Sequence, residues 1–277
     1  MNTLLKLVTV TLIFTFFAGP AMAQVAEDYH PFLSDKFNIQ LGIFWPDKEY
    51  TVRVDGSLPG EEIDFDEELG IKDYEATGSM NFRWRFGEKW SFWGQFWSTS
   101  ESASGTLEED IVWEDFIFKE GTFAKANFGT KIGRIFFGRT FSAGPRHEFG
   151  AGAGLHWMEL DSSIKGEIFI DENTTGFHRA AVHAEFPLPN IGAWYMYSWS
   201  PKWVFQSRLD WLSASIGDYS GGLWNAQAGI HWQTFENVGV GLYYNNFLVD
   251  LDVDKSDWHG AVETTQSGPY LAVSATW

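Results

Sequence analysis

Apolar and polar residues alternate with a period of two along most of this chain. In 81–86, Phe82, Trp84 and Phe86 share one face, and Asn81, Arg83 and Arg85 share the other. In 205–211, Phe205, Leu209 and Trp211 oppose Gln206, Arg208 and Asp210. In 225–233, Ala226, Ala228, Ile230 and Trp232 oppose Asn225, Gln227, His231 and Gln233. The chain finishes in the same rhythm, with Leu271, Val273, Ala275 and Trp277 on one face. Chain ends are usually frayed and polar, so a terminal tryptophan places this end within a sheet. Short polar turns with aromatic shoulders separate the alternating runs, at 86–90, 199–203, 235–239 and, somewhat longer, 141–149. Such turns are hairpin signals.

Longer, acidic segments lie between these turns, at 60–70, 107–115, 171–176, 217–222 and 250–257. The pattern predicts strands over 36–56, 71–86, 89–104, 121–140, 147–165, 177–199, 202–217, 222–235, 238–253 and 261–277. That makes ten, with eight and twelve as the alternatives. Pro187 and Pro189 interrupt the sixth. Proline removes a ladder donor, so 177–189 is alternatively a loop with the strand starting near Asn190.

Long alternating strands, four short turns and five long loops predict an all-β fold, an antiparallel transmembrane up-and-down β-barrel with its apolar face to lipid. A β-sandwich also alternates, but it needs neither the terminal Trp nor an aromatic shoulder at each turn. A charge facing lipid at mid-membrane costs about 2–4 kcal/mol. This rule sends Arg83, Arg85, Lys125, Lys131, His156, Glu185, Arg208, Asp210 and His231 into the lumen. There the mixed charges pair and leave at most a narrow passage.

Residues 1–23 read as a signal peptide: Lys6 is their only charge, 7–17 is apolar apart from threonines, and Ala21-Met22-Ala23 is a cleavage site before Gln24. Residues 24–35 are then a periplasmic N-terminal segment, and 36–277 form the barrel. Aromatics make up 18% of the chain, with 15 Trp and 25 Phe, which suits the aromatic girdles of a barrel. There is no cysteine, so disulfides and thiolate metal sites are excluded. The net charge of −18 argues against nucleic acid.

Together, the signal peptide, alternating strands, short inner turns, long acidic outer loops and terminal aromatic resemble the small outer-membrane barrels of the OmpA/OmpW-like superfamily. The resemblance covers the whole mature chain. It implies a porin-like architecture in the Gram-negative cell envelope, with outer-membrane lipids and lipopolysaccharide around it. It also implies recognition of the C-terminal strand by the barrel-assembly machinery. That superfamily holds scaffolds, adhesins, narrow channels and lipid-modifying enzymes, so the fold leaves function open.

Catalytic motifs are absent: there is no Gly-x-Ser-x-Gly, His-Glu-x-x-His or P-loop. Gly150-Ala-Gly-Ala-Gly154 is not a dinucleotide fingerprint, and its alternate glycines make room for bulky lumen neighbours or allow strand curvature. His178 and His183 are the histidines that a serine and an acid could join in a lipid hydrolase, but a structural role suits them better. The last two strands hold no His-x-Ser pair. The acidic run Glu61, Glu62, Asp64, Asp66, Glu67 and Glu68, and the set Asp250, Asp252, Asp254 and Asp257, lack the spacing of an EF-hand. They read as solvated loops or as sites of divalent cations shared with lipopolysaccharide phosphates. The expectation is a non-enzymatic barrel with no catalytic, cofactor or metal site and a structural or loop-mediated role. A narrow solute channel is the first alternative and a lipid-modifying hydrolase the second.

Overall fold

The computed structural model describes residues 30–55, 63–64, 75–113, 116–171, 174–254 and 259–277. The signal-peptide reading of 1–23, the start at Gln24, the acidic run 61–68 apart from 63–64, and Asp257 lie outside the described residues.

The alternating runs become strands, as their period demands. In chain order the elements are α1 (Pro31–Ser34), β1 (Phe37–Phe44), β2 (Asp47–Asp55), β3 (Ile63–Asp64), β4 (Thr77–Phe86), β5 (Trp90–Thr106), β6 (Ile111–Trp113), β7 (Phe116–Phe118) and β8 (Phe123–Ala143). They continue with β9 (His147–Asp171), β10 (Thr174–Ser200), β11 (Trp203–Ile216), β12 (Tyr219–Gln233), β13 (Val238–Asp254) and β14 (His259–Thr276). Neighbours in the sheet are antiparallel and follow the order β1-β4-β5-β8-β9-β10-β11-β12-β13-β14. The last strand returns to the first, from Asn38 opposite Thr276 to Phe44 opposite Tyr270. The wall is therefore a closed all-β antiparallel barrel of about ten long strands, and closure leaves no sheet edge along that seam.

Farther along, β14 carries β2 in place of β1, with Ser267 opposite Asp47 and His259 opposite Asp55. The chain crosses from β1 to β2 at Trp45-Pro46, close over Gly268, where an added Cβ would sit 2.0 Å from the Trp45 carbonyl oxygen. Both described chain ends meet at the short-turn end. The Phe37 amide donates to the Trp277 carbonyl at 2.9 Å, and the Trp277 amide returns the bond at 3.1 Å. At the β4–β5 turn Gly87 adopts φ +63°, which a side chain resists.

Strand β10 runs unbroken through Pro187 and Pro189, as the strand expected over 177–199 requires, and the alternative of a loop over 177–189 falls away. It pairs with β9 from Thr174 to Tyr197, but with β11 only from Ile191 onward. Both prolines thus lie where β10 has a partner on one side alone, the position at which a sheet tolerates a missing donor.

Side chains alternate in and out as predicted, but the chemistry of the two faces exchanges part-way up the wall. On β9 the inward residues change from His156 to Met158, Leu160 and Ile164, while the outward ones change from Leu155 and Trp157 to Glu159, Asp161 and Lys165. On β13 the inward series passes from Tyr243 and Asn245 to Phe247, Val249, Leu251 and Val253. Its outward series passes from Leu242 and Tyr244 through Asn246 and Leu248 to Asp250, Asp252 and Asp254. The long-loop half is thus a barrel with an apolar core, in which the β6–β7 hairpin inserts Trp113 and Phe118.

Two sequence expectations change here. The lumen's arginine–carboxylate network lies in its short-turn half, and the long-loop half is mostly apolar, with the Lys48–Glu101 pair and the Gln266–Thr130 bond buried in it. Lys125, Lys131 and Glu185, expected inside, point outward in the long-loop half. An outward charge is penalised only where lipid meets it, so the rule that sent them inward stops applying beyond the apolar band.

Candidate functional site

The polar half of the interior is built by inward residues of seven strands, β4, β5 and β8 to β12. Arg134 on β8 clamps Asp210 on β11 through two bonds, Nε to Oδ2 at 2.6 Å and Nη2 to Oδ1 at 2.7 Å, with both side chains fully buried. Arg208 Nε lies 3.7 Å from Asp210 Oδ2, and its Nη2 donates to Gln95 Oε1 at 2.5 Å. His156 stands 3.8 Å from the same carboxylate and bonds Asn190 and Asn225 through its two ring nitrogens at 3.1 and 2.9 Å. Glu148 receives Arg85 and the Trp194 indole N–H, the latter at 2.7 Å. Trp194 occupies the space left by Gly150, whose added Cβ would meet its ring at 2.1 Å, as the glycine run suggested.

The segment before β1 closes the short-turn mouth. His30 caps α1, its Nδ1 accepting from the Phe32 amide at 3.1 Å. Phe32 is buried, its ring 4.3 Å from that of His231, and its carbonyl accepts from Arg83 at 2.5 Å and Arg85 at 2.8 Å. Arg83 is sandwiched between the rings of Phe32 and Trp93 at 5.7 and 5.2 Å. Burial pulls the His30 imidazole down to about 4, and the positive charge of Arg83 adds to this. His30 is therefore held neutral in the mouth.

Of the residues expected in the lumen, Arg83, Arg85, His156, Arg208, Asp210 and His231 are there. Sequence reasoning missed Arg134 and Glu148, the partners that neutralise two of them. It also missed His30 and Phe32, because four helical residues carry no readable period.

Chemistry is scarce among these groups. His231 lies 3.1 Å from Ser274 Oγ and 3.3 Å from the Tyr243 hydroxyl, with no carboxylate bonded to it among the described residues, and Phe32 covers it. His178 stacks on Phe116 at 3.8 Å. His183 Nδ1 lies 2.7 Å from Asp161 and Nε2 lies 3.8 Å from Glu185, so its partners are carboxylates. Lys131 pairs with Glu159 at 2.5 Å on the same outer surface. Among the described residues no group of three or more His, Asp or Glu side chains is placed to hold a metal ion. Asp250, Asp252 and Asp254 share the outward face of β13, with Arg53 3.6 Å from Asp252 and His259 2.7 Å from Asp254.

No family model matches the chain, and no curated protein does. Among solved structures it is similar to the outer membrane protease OmpT from Escherichia coli, at 11% identity and a TM-score of 0.59. That match covers 88% of this chain and 97% of the other. The toluene transporter TodX of P. putida, at 9% identity over 89% and 91% of the two chains, reaches a TM-score of only 0.36. Ail, the attachment invasion locus protein of Yersinia pestis, at 11% identity over 86% and 98%, reaches 0.32. These two are too loosely superposed to carry an argument. The likeness to OmpT shows a shared barrel fold; the narrower resemblance to OmpA/OmpW-like barrels is not established by it.

Proposed function

We propose that this chain is a non-enzymatic integral barrel of the Gram-negative outer membrane, exported by residues 1–23 and crossing with ten strands. In this count β1 and β2 are one interrupted strand. The short-turn end faces the periplasm and the long acidic loops face outward. Its role is structural or mediated by the loops, and its surroundings are membrane lipids and lipopolysaccharide. The observation that carries this reading is the exchange of faces. Below it, Trp84, Phe96, Trp157, Trp211, Trp232 and Leu242 lie exposed on the outer wall, a band that only lipid covers at no cost. Beyond it, the same strands wear charges outside and an apolar core inside, as in water.

The absence of a solute passage is supported by the arginine–carboxylate layer, the Phe32 plug and the apolar core. The C-terminal strand is the feature offered to the barrel-assembly machinery, and divalent cations are partners for the acidic loops. Cell fractionation tests location: the protein belongs in the outer-membrane fraction and shifts its electrophoretic mobility on heating. Recovery as a soluble protein overturns the reading. Lipid A mass spectra that change when the protein is expressed favour the hydrolase alternative instead.

A further inference from the structure

Two depressions lie one above the other on the outer wall, on the same strands. The lower one, of about 530 Å³, runs over Gly94 on β5 and Gly133 on β8, between Phe82, Phe96, Ile135 and Trp157. Neither glycine has a backbone that requires it, and an added Cβ would meet nothing closer than 3.8 Å at Gly94 or 4.0 Å at Gly133. Glycine weakens a strand, so these two residues cost stability that no internal packing explains. What they provide is an apolar groove.

The upper depression, of about 720 Å³, begins one outward position higher on β5 and β8 and is polar. Ser98, Ser100, Lys131, Asp161, Arg179 and His183 line it. Arg179 lines its top, and continuing from it above the depression Lys165 on β9 stands opposite Arg179 on β10 and Lys125 on β8 stands opposite Lys165. All three point outward and are exposed. Like charges directly opposite on neighbouring strands destabilise a sheet. Among the described residues none of the three has a carboxylate partner; Lys165 only rests over the Phe177 ring at 4.9 Å.

We propose that this wall is a docking site for a phosphorylated glycolipid of the surrounding leaflet. Its acyl chains lie in the Gly94–Gly133 groove, and its phosphates, carried on the sugar above, sit against Arg179, Lys165 and Lys125. The row of cations gains the anions it lacks, and the guanidinium of Arg179 suits a phosphate fork. The carboxylates of Glu159 and Asp161, already paired with Lys131 and His183, bound the site from below. This inference rests on the membrane reading above.

The test uses the full mature chain in nanodiscs of zwitterionic phospholipid, with phosphorylated lipopolysaccharide as probe and native mass spectrometry as readout. Three measurements are compared. Wild type should bind the phosphorylated probe about tenfold more tightly than the same lipid after dephosphorylation, as three exposed charge contacts together would give. The triple variant K125Q/K165Q/R179Q should lose that preference. G133L, which fills the groove, should weaken both forms of the probe alike. A wild-type protein indifferent to phosphate overturns the proposal, and so does a triple variant that keeps the preference. The ligand-side comparison needs no variant to fold. Correct fractionation and heat shift of wild type, measured separately, tell failure of this site from failure of the membrane reading.

Discussion

At the scale of single residues, the interior is balanced by few groups. Asp210 holds Arg134 by two bonds and faces Arg208 and His156, all buried. Removing its charge leaves two arginines without their anion. Breaking a buried pair from one side costs about 3–5 kcal/mol, so Asp210→Asn should lower resistance to urea unfolding by about that much. The double change R134L/D210L should cost less than D210N alone. His30 makes a pH prediction. Its imidazole titrates near 4 in place and at 6.5 when free, so the seated state binds fewer protons over that interval. The stability this lends the plug is present above about 6.5 and is lost as the pH falls toward 4. Burial sets this shift, the Lys202 backbone and Asp35 offset part of it and Arg83 adds to it, and the pH-dependent stability amounts to roughly 3 kcal/mol at most. The chain has no cysteine, so single thiols report cleanly. Labelling of Leu33→Cys, taken as a ratio to the exposed Ser34→Cys, should rise between pH 6.5 and 4 and stay flat in a His30→Ala background. A flat ratio with His30 present would mean that the mouth does not depend on this imidazole.

At the scale of elements, the faces of 81–86, 205–211 and 225–233 were legible because alternation depends only on the pleat. The turns were legible from their aromatic shoulders. The chemistry of each face was not, beyond the level where Trp157 gives way to Glu159. The sequence contains the exchange, since odd residues of 125–137 run Lys125, Asn127, Gly129 and Lys131 before Gly133, Ile135 and Phe137. A rule that charges point to the lumen reads Lys125 and Lys131 as inward, and only water outside the wall makes them outward. Pro187 and Pro189 kept a loop open as the alternative for a different reason. Whether a strand is an edge depends on a distant partner, here the point where β11 joins β10 at Ile191. The exchange level predicts where lysine is tolerated on the wall. On β13, Leu242→Lys lies in the apolar band and should cost about 2–4 kcal/mol, whereas Asn246→Lys, beyond it, should cost at most about 1. Equal losses in a chaotrope titration of refolded barrels would place the boundary elsewhere. The same strand-level logic applies to Trp277, whose ring stacks on Phe37 at 5.5 Å while its backbone closes the seam. Trp277→Asp should reduce outer-membrane levels beyond what its lost burial explains.

At the scale of the whole molecule, the barrel has two barriers in series. The short-turn half holds the arginine–carboxylate layer and the plug, and the long-loop half holds an apolar core with Trp113 and Phe118 at its centre. They differ in kind. A polar layer is wet or easily wetted once its cover leaves, because each arginine keeps a hydrophilic surface. An apolar core excludes ions through dispersion contacts and the cost of desolvating a charge. Ion flow therefore needs both to open. Wild-type protein in a planar bilayer should give no stable current. A variant lacking residues 30–35 exposes Arg83, Arg85 and His231 to the short-turn side, yet should remain silent, because Phe128, Met158, Leu160, Phe186 and Phe247 still fill the other half. Current should appear only when that deletion is combined with removal of the β6–β7 hairpin, whose Trp113 and Phe118 are wholly buried in the core. Stable conductance from the first deletion alone would show that the apolar half is no seal, and the narrow-channel alternative would then replace the closed barrel.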